Sequence, residues 1–239
     1  MVQVSFADAK PLEAPRLLRV CFCKTGALQY ISHLDLMRTM TRVMVRTHLP
    51  VKYTEGFHPI PHLVFSAPLP VGAESPREFV DIQVLAEVDP AAVRDALNSG
   101  LPQELRVNEV YYPTTKLKDI ASALYLVTLH LQNTSPALAE EIHASLQARP
   151  LFVFKRTKSG DRDVDVSGAI IEASAAYVAE TGEIQISLHL AAEAGSFLNP
   201  DYIMTYIKEK NGVLSGDGIG EWYTVTRAHL YDKDGHDFS

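Results

Sequence analysis

The order of strands and helices most constrains how this chain can fold, because the sequence predicts the same order twice. In the first half, alternating apolar patterns predict strands at residues 16–23, 62–67, 78–87 and 104–112. Helix caps and apolar residues at helical spacing predict helices from Ser32 to about His48 and from Asp89 to about Leu97. The resulting order, β-α-β-β-α-β, is that of a ferredoxin-like unit.

The second half of the chain repeats this order. Its strands are predicted at residues 123–132, at 151–157 in a hairpin with the stretch that follows, at 183–192 and at 222–231. Its helices begin at Ser135-Pro136 and at Asn199-Pro200. We therefore predict an α+β fold of two tandem ferredoxin-like (βαββαβ) units with antiparallel sheets. No repeat is visible residue by residue, so one larger α+β domain with the same elements is the alternative.

A chain of 239 residues is long enough for two domains of ordinary size. We expect a flexible leader, an N-terminal unit, a linker, a C-terminal unit and a tail, at residues 1–15, 16–112, 113–121, 122–232 and 233–239. No apolar run approaches the ~18 residues that a membrane-spanning helix needs, so no membrane association is expected. The first residues lack the features of a signal peptide, which predicts a cytoplasmic location.

The two cysteines, Cys21 and Cys23, lie two apart on a predicted strand. A disulfide at this spacing is geometrically poor, so both are predicted to be reduced thiols. With no Cys-x-x-Cys motif, the sequence carries no iron–sulfur or thioredoxin signature, and we expect no cofactor.

The charge distribution limits how the chain can bind a polyanion. A net charge of −7 disfavours tight nonspecific binding to nucleic acid. Residues 1–80, however, contain nine Lys and Arg against six Asp and Glu, a surplus of three positive charges. This surplus leaves room for a local basic surface on an acidic protein.

The junction between the first strand and the first helix concentrates polar side chains. Ser32 is a predicted N-cap, and Asp35 three residues later completes a capping box. Lys24 and His33, together with the helix N-terminus, favour an anion such as phosphate or carboxylate. The polar face of the helix carries Arg38, Arg42 and Arg46. This face is interpreted either as an anion-binding stripe or as a solvated surface. Asp35 is alternatively an ion-pair partner of these arginines, and His33 a half-buried structural histidine.

A proline-rich loop forms the second distinctive stretch, residues 53–72. His58 and His62 are four apart, but the surrounding prolines exclude the helix on which that spacing would pair metal ligands, so no metal is expected. We expect Glu55 and His58 to face the site. The predicted site is a cleft at the end of the first sheet, where five side chains converge: Lys24, His33, Arg38, Glu55 and His58.

Several motifs resemble the DUF2344 family, a radical-SAM-linked bacterial family of unknown function. They are Lys24-Thr25-Gly26, Ser32 to Arg38, Gly56-Phe57-His58-Pro59 and Ala67 to Gly72, followed by Glu74, Glu78, Asp81, Lys158, Gly160 and Val164-Asp165-Val166. The resemblance extends over about residues 16–230. It implies a partner, a radical-SAM protein with a cobalamin-type domain. This chain lacks a cluster-binding cysteine triad, so radical chemistry would belong to that partner.

Three functions are compatible with these observations. The first is an RNA-associated accessory module for RNA modification or processing, since tandem ferredoxin-like units often present a sheet face to RNA. The second is a metal-independent, endoribonuclease-like enzyme, in which His33 and His58 are the candidate catalytic residues. The third is a protein-interaction scaffold for the radical-SAM partner.

Overall fold

The computed structural model describes residues 6–157, 160–215 and 220–239. It shows a mixed α+β chain with antiparallel sheets and four α-helices among these residues. The chain divides into two compact units, residues 1–119 together with Ser239, and residues 120–238. Within the described ranges, every helix is too short or too polar to cross a bilayer.

The first unit contains four strands and two α-helices. The elements are β1 (Pro11–Lys24), α1 (His33–Arg46), β2 (Leu63–Phe65), β3 (Ala73–Ala86), α2 (Pro90–Asn98) and β4 (Val107–Tyr111). The strands pair in the order β4-β1-β3-β2, and each pair is antiparallel. Consecutive strands are therefore not always neighbours, because β1 lies between β3 and β4.

Helix α1 packs one apolar face into the core of this unit. Its buried residues are Leu36, Met40, Val43 and Met44, and Met37 beside them is half-buried. They contact alternate residues of the central strands, among them Val20 and Ile82. Burying one such side chain contributes about 1.5–3 kcal/mol. Ser32 is the N-cap, as predicted, and its hydroxyl accepts the N–H of Asp35.

The second unit has six strands and two α-helices in its described residues. They are β5 (Ile120–His130), α3 (Pro136–Gln147), β6 (Phe152–Thr157), β7 (Gly160–Asp165), β8 (Ile170–Val178), β9 (Glu183–Ala191), α4 (Pro200–Asn211) and β10 (Trp222–Asp232). Four of the strands pair antiparallel in the order β10-β5-β9-β8. Strands β6 and β7 form a separate two-stranded sheet.

Two sequence-based expectations need correction here. Strand β8 was missed, because IIEASAAYV is rich in alanine and has a weak strand pattern. The predicted hairpin is present as β6 and β7. Strand β8 is not part of this hairpin and pairs with β9. At the other end of the chain, residues 11–15 belong to β1 rather than to a leader, and Pro11 is paired with Ala86. Residues 1–5 of that leader lie outside the described residues.

Candidate functional site

Lys24 ends β1 and is almost completely buried, with 2% of its surface exposed. Its ammonium group donates to the carbonyl oxygen of Gln29 at 2.8 Å and to that of Ala73 at 3.5 Å. The pairing of β1 with β3 slips by a residue just before Lys24. Lys24 therefore ties the turn after β1 to the beginning of β3, and it does not belong to the exposed basic surface.

Gly26 makes that turn possible. Its φ of +56° lies in the left-handed region, and its N–H donates to the carboxylate of Glu74 at 2.7 Å. An added Cβ would lie 3.1 Å from Cγ of Glu104, which is a tight contact. The motif Lys24-Thr25-Gly26 thus fixes the entry to the segment that precedes α1.

A small cavity lies beside this turn, within the first unit. Its polar lining comes from Lys24, Ser32, His33, Ser66 and Glu78, and its apolar lining from Phe22, Ile31, Leu36, Phe65, Ala67, Pro68 and Leu69. Its free volume is about 10 Å³, enough for roughly one water molecule. Many residues that carry the family resemblance meet here, but the cavity is too small for a substrate.

His33 lies at the rim of the cavity, in the first turn of α1. Its side chain is exposed, and the edge of its ring packs against Phe65, with ring centroids 5.2 Å apart. The structure therefore brings Lys24 and His33 to one cavity. His33 has the exposure that a ligand-binding residue needs, whereas Lys24 is used within the fold.

Asp35 and Arg38 form the local interactions that the alternative interpretation predicted. The hydroxyl of Ser32 donates to the Asp35 carboxylate at 2.7 Å, and Arg38 lies 3.5 Å from the same carboxylate. The hydrogen bond from Ser32, followed by the charge of Arg38, lowers the pKa of Asp35 below its usual value. Arg38 and Arg42 remain exposed on the surface of α1.

Glu55 and His58 are exposed on the loop between α1 and β2. The loop is closed where the N–H of Thr54 donates to the carbonyl of Ile60 at 2.8 Å. Neither Glu55 nor His58 lines the cavity. A single cleft containing Lys24, His33, Arg38, Glu55 and His58 therefore stays a prediction.

One potential metal-ligand cluster occurs among the described residues, and it does not include His58 or His62. It consists of Asp232, Asp234 and His236, whose ligand atoms lie within 4.8 Å of one another. The Asp232 carboxylate already accepts the backbone N–H groups of Asp234 and His236, each at 2.9 Å. These bonds account for the cluster as a polar turn after β10.

The second unit presents an open sheet face that the sequence analysis did not identify. Val225 on β10 is buried, and Tyr223 is hydrogen-bonded to Asp201 in the first turn of α4, so α4 lies on their side of the sheet. Trp222 alternates with these residues and faces the opposite side, where it is 53% exposed. The sheet therefore has one face under the helices and one accessible face.

Trp222 is stacked on His130 at one end of the open face. Their rings are 4.8 Å apart and inclined by 21°. The imidazole of His130 lies 3.1 Å from the carboxylate of Glu183 on the neighbouring strand, which holds the ring in place. Between this pair and the other end, the face carries small polar side chains and one exposed leucine, namely Thr128, Thr224, Thr226, Gln185, Ser187 and Leu126.

A second aromatic group lies at the other end of the open face. His189 is hydrogen-bonded to Ser122 at 2.8 Å, and its ring lies 5.1 Å from that of Tyr231. Tyr231 stacks in turn on His229, whose imidazole lies 3.0 Å from Asp237. Burial lowers the pKa of His189, although the charge of Glu172 opposes this. The two aromatic groups lie far apart on the open face, because Tyr231 and Trp222 are nine residues apart in β10, or about 30 Å along an extended strand.

The comparison with known families now decides the assignment. The family described as an uncharacterized protein conserved in bacteria, DUF2344, matches residues 17–200. The chain belongs to the DUF2344 family. No curated protein matches this DUF2344 chain. The cavity lies inside the matched range, as do strands β5 to β9 and α3 of the second unit, whereas α4 after Pro200 and all of β10 lie beyond it.

Among solved structures, a DypB variant in complex with manganese is 11% identical over 93% of the DUF2344 chain and 96% of its own, with a TM-score of 0.20. A crystal form of DyPB from Rhodococcus jostii RHA1 is 10% identical over 91% and 94%, also with a TM-score of 0.20. Such low scores support neither a shared fold nor a shared function.

Proposed function

We propose that this DUF2344 chain is an RNA-associated accessory module that binds single-stranded RNA on the open sheet face of its second unit. The observation that carries the proposal is the exposed Trp222, which is held in place by stacking on His130. An indole fixed at the start of β10, on a polar sheet face, offers a flat surface for a base. Stacking of one base on an aromatic side chain contributes about 1–3 kcal/mol.

The strand order gives this proposal a structural context. In each unit, four antiparallel strands pair side by side, in the orders β4-β1-β3-β2 and β10-β5-β9-β8. Of these four strands, the first and the third along the chain are central, which is the strand order of a ferredoxin-like unit. We propose that both units are ferredoxin-like, with β6 and β7 inserted in the second. RNA-recognition modules with a four-stranded sheet stack two or three bases on aromatic residues of the open face. This is an analogy of fold, and the proposal depends on the aromatic side chains themselves.

The chemistry of the face predicts weak, stacking-dominated binding. The hydroxyl and amide groups of Thr128, Thr224 and Gln185 can bond to base edges. The three strands β5, β9 and β10 place histidines there, not lysines, and Glu172 and Glu183 add negative charge. Phosphate contacts are therefore few, and the affinity should depend only weakly on salt.

The resemblance adds a partner to the proposal, and the first residues of the sequence add a location. We propose that the module works with a radical-SAM protein that carries a cobalamin-type domain, and that it does so in the cytoplasm. Both cysteines are free, which suits a reducing compartment. The ribonuclease alternative needs an exposed cation near His33, and Lys24 is instead buried against main-chain carbonyls.

The chain contains one tryptophan, so tryptophan fluorescence, excited selectively over that of its ten tyrosines, reports on Trp222 alone. Titration with unstructured oligouridine or oligoadenosine of about ten nucleotides should quench this fluorescence. In anisotropy measurements with labelled RNA, Trp222→Ala should weaken binding about 5- to 150-fold, whereas Trp222→Phe should retain most of it. Phe57→Ala is the matched control, because Phe57 is an exposed aromatic residue of the first unit.

Three results would change the proposal. Binding that is equal in wild type and Trp222→Ala would remove the open face as the RNA site. Discrete shortening of the RNA that is lost in His33→Ala would favour the ribonuclease. Absence of any RNA binding at low salt, combined with tight binding to the radical-SAM protein, would leave the scaffold function.

A further inference from the structure

The hairpin of β6 and β7 carries two exposed phenylalanines on one face. Phe152 is 54% exposed and Phe154 is 49% exposed, while Val153 between them is 4% exposed. The alternation shows that Val153 faces the body of the second unit and that the phenylalanines face outward. Two large apolar side chains side by side on an outer face form a small apolar surface, unlike a single exposed residue.

The opposite strand places aspartates beside these phenylalanines. Phe152 is paired with Asp165 and Phe154 with Asp163, and directly opposite residues in an antiparallel pair share a face. Asp161 alternates with them along β7 and lies on the same face. All three aspartates are exposed. The outer face of the hairpin therefore combines an aromatic pair with a row of three carboxylates, and Arg156 is the residue paired with Asp161 across the two strands.

The inner face of the hairpin is occupied within the unit. Val153 and Val164 are paired across the two strands, and the ammonium of Lys155 lies 4.8 Å from the ring centroid of Tyr202 in α4. These contacts fix which face is turned outward. Lys158, which follows β6 in the sequence, lies outside the described residues. The aromatic pair and its aspartates are thus presented to solvent by a ribbon whose other side is anchored.

We propose that the outer face of β6 and β7 is a docking surface for a protein partner, and that it binds a basic segment with interspersed apolar side chains. The apolar side chains would pack on Phe152 and Phe154, and Lys or Arg side chains would pair with Asp161, Asp163 and Asp165. Aromatic residues are enriched among those that dominate binding energy. Complementary charge around them sets the partner's chemistry and speeds association. The net charge of −7 adds long-range attraction for a cationic partner.

A short peptide with the pattern Lys-Leu-Lys-Leu-Lys between glycine and serine flanks is a suitable probe, since it offers three cations and two apolar groups. Labelled with fluorescein, it should bind the full chain in anisotropy measurements. The Phe152→Ser/Phe154→Ser variant should weaken binding about tenfold or more. The Asp161→Asn/Asp163→Asn variant should weaken it about three- to tenfold and make it less salt-dependent. Asp165 is left unchanged, because its carboxylate accepts the N–H groups of Leu151 and Ser167.

The matched control is Glu140→Gln/Glu141→Gln, which removes two exposed carboxylates from α3 and changes the net charge equally. Equal weakening by this variant would mean that overall acidity binds the peptide, and the proposal would be wrong. Unchanged binding in the phenylalanine variant would also overturn it. The proposal would also be wrong if the wild-type chain self-associates and the phenylalanine variant does not, because a second copy of the chain would then occupy this face. Loss of RNA binding in these variants would assign the face to RNA instead.

Discussion

The buried ion pair between Arg19 and Asp81 provides the most quantitative test of how the first unit is held together. Two hydrogen bonds join the guanidinium of Arg19 to the two carboxylate oxygens of Asp81, at 2.7 and 3.0 Å. The side chain of Arg19 is 0% exposed and that of Asp81 is 7% exposed. Arg19 also donates to the hydroxyl of Thr115 at 2.7 Å. This pair joins the two central strands on the face opposite α1.

Replacing Asp81 with alanine leaves the buried positive charge of Arg19 without this carboxylate. Removal of one partner from a buried pair destabilises a protein by about 3–5 kcal/mol. With a urea dependence of about 2 kcal/mol per molar, the unfolding midpoint should fall by about 1.5–2.5 M. Arg19→Met combined with Asp81→Leu should recover most of this loss, because an apolar pair has no desolvation cost to offset.

The measurement is urea unfolding followed by circular dichroism, with Asp95→Ala as the matched control. Asp95 pairs with Arg94 at 2.8 Å, but its side chain is 60% exposed. Exposed pairs contribute about 0–1 kcal/mol, so this variant should shift the midpoint by less than about 0.5 M. Equal shifts for Asp81→Ala and Asp95→Ala would refute the assignment of a large energetic role to burial.

Three further predictions test Gly26, His189 and the arginines of α1. Gly26→Ala should lower the free energy of unfolding by about 1–2 kcal/mol in urea unfolding, because φ is +56° and the new Cβ meets Glu104. The pKa of His189 is lowered in the folded chain, so the unfolded chain binds a proton at this position more readily. The contribution of neutral His189 to the free energy of unfolding is therefore present above the ordinary histidine pKa of about 6.5 and is lost as the pH falls below it. The urea midpoints at pH 7 and pH 5 should differ less in His189→Gln than in wild type. If α1 adds phosphate contacts with a structured RNA to those of the open face, the wild-type log–log salt slope in filter binding should steepen to about −2 to −4, and Arg38→Glu/Arg42→Glu should abolish that binding. An unchanged affinity in this variant would show that α1 makes no phosphate contact.

The elements that could be predicted from the sequence are those with strong local signals. Helix α1 has both a cap at Ser32 and a regular apolar face, so its beginning and its buried side followed directly. Strand β8 has neither, and its place in the sheet depends on pairing with β9. The polar partners of Lys24 could not be predicted, because Ala73 is 49 residues away and contributes only a main-chain carbonyl.

The open face and the hairpin face were missed for a related reason. Trp222 lies at the start of a predicted strand, but which residues share its face depends on strand pairing with β5. The hairpin had been predicted, yet its two faces could be distinguished only when Val153 was found buried and its neighbours exposed. Pairing register is a long-range property, and local periodicity does not determine it.

The polar motif at the start of α1 illustrates how a conspicuous motif can be explained by the fold. The ammonium of Lys24 donates to main-chain carbonyls, and the N–H of Gly26 donates to the carboxylate of Glu74. The carboxylate of Asp35 accepts the hydroxyl of Ser32. These polar groups therefore have hydrogen-bond partners within the fold. An exposed aromatic pair on the hairpin, or an indole exposed at the start of β10, gains little stability from staying in contact with water. Both proposals for this DUF2344 protein therefore start from exposed apolar area and not from the polar motif at the start of α1.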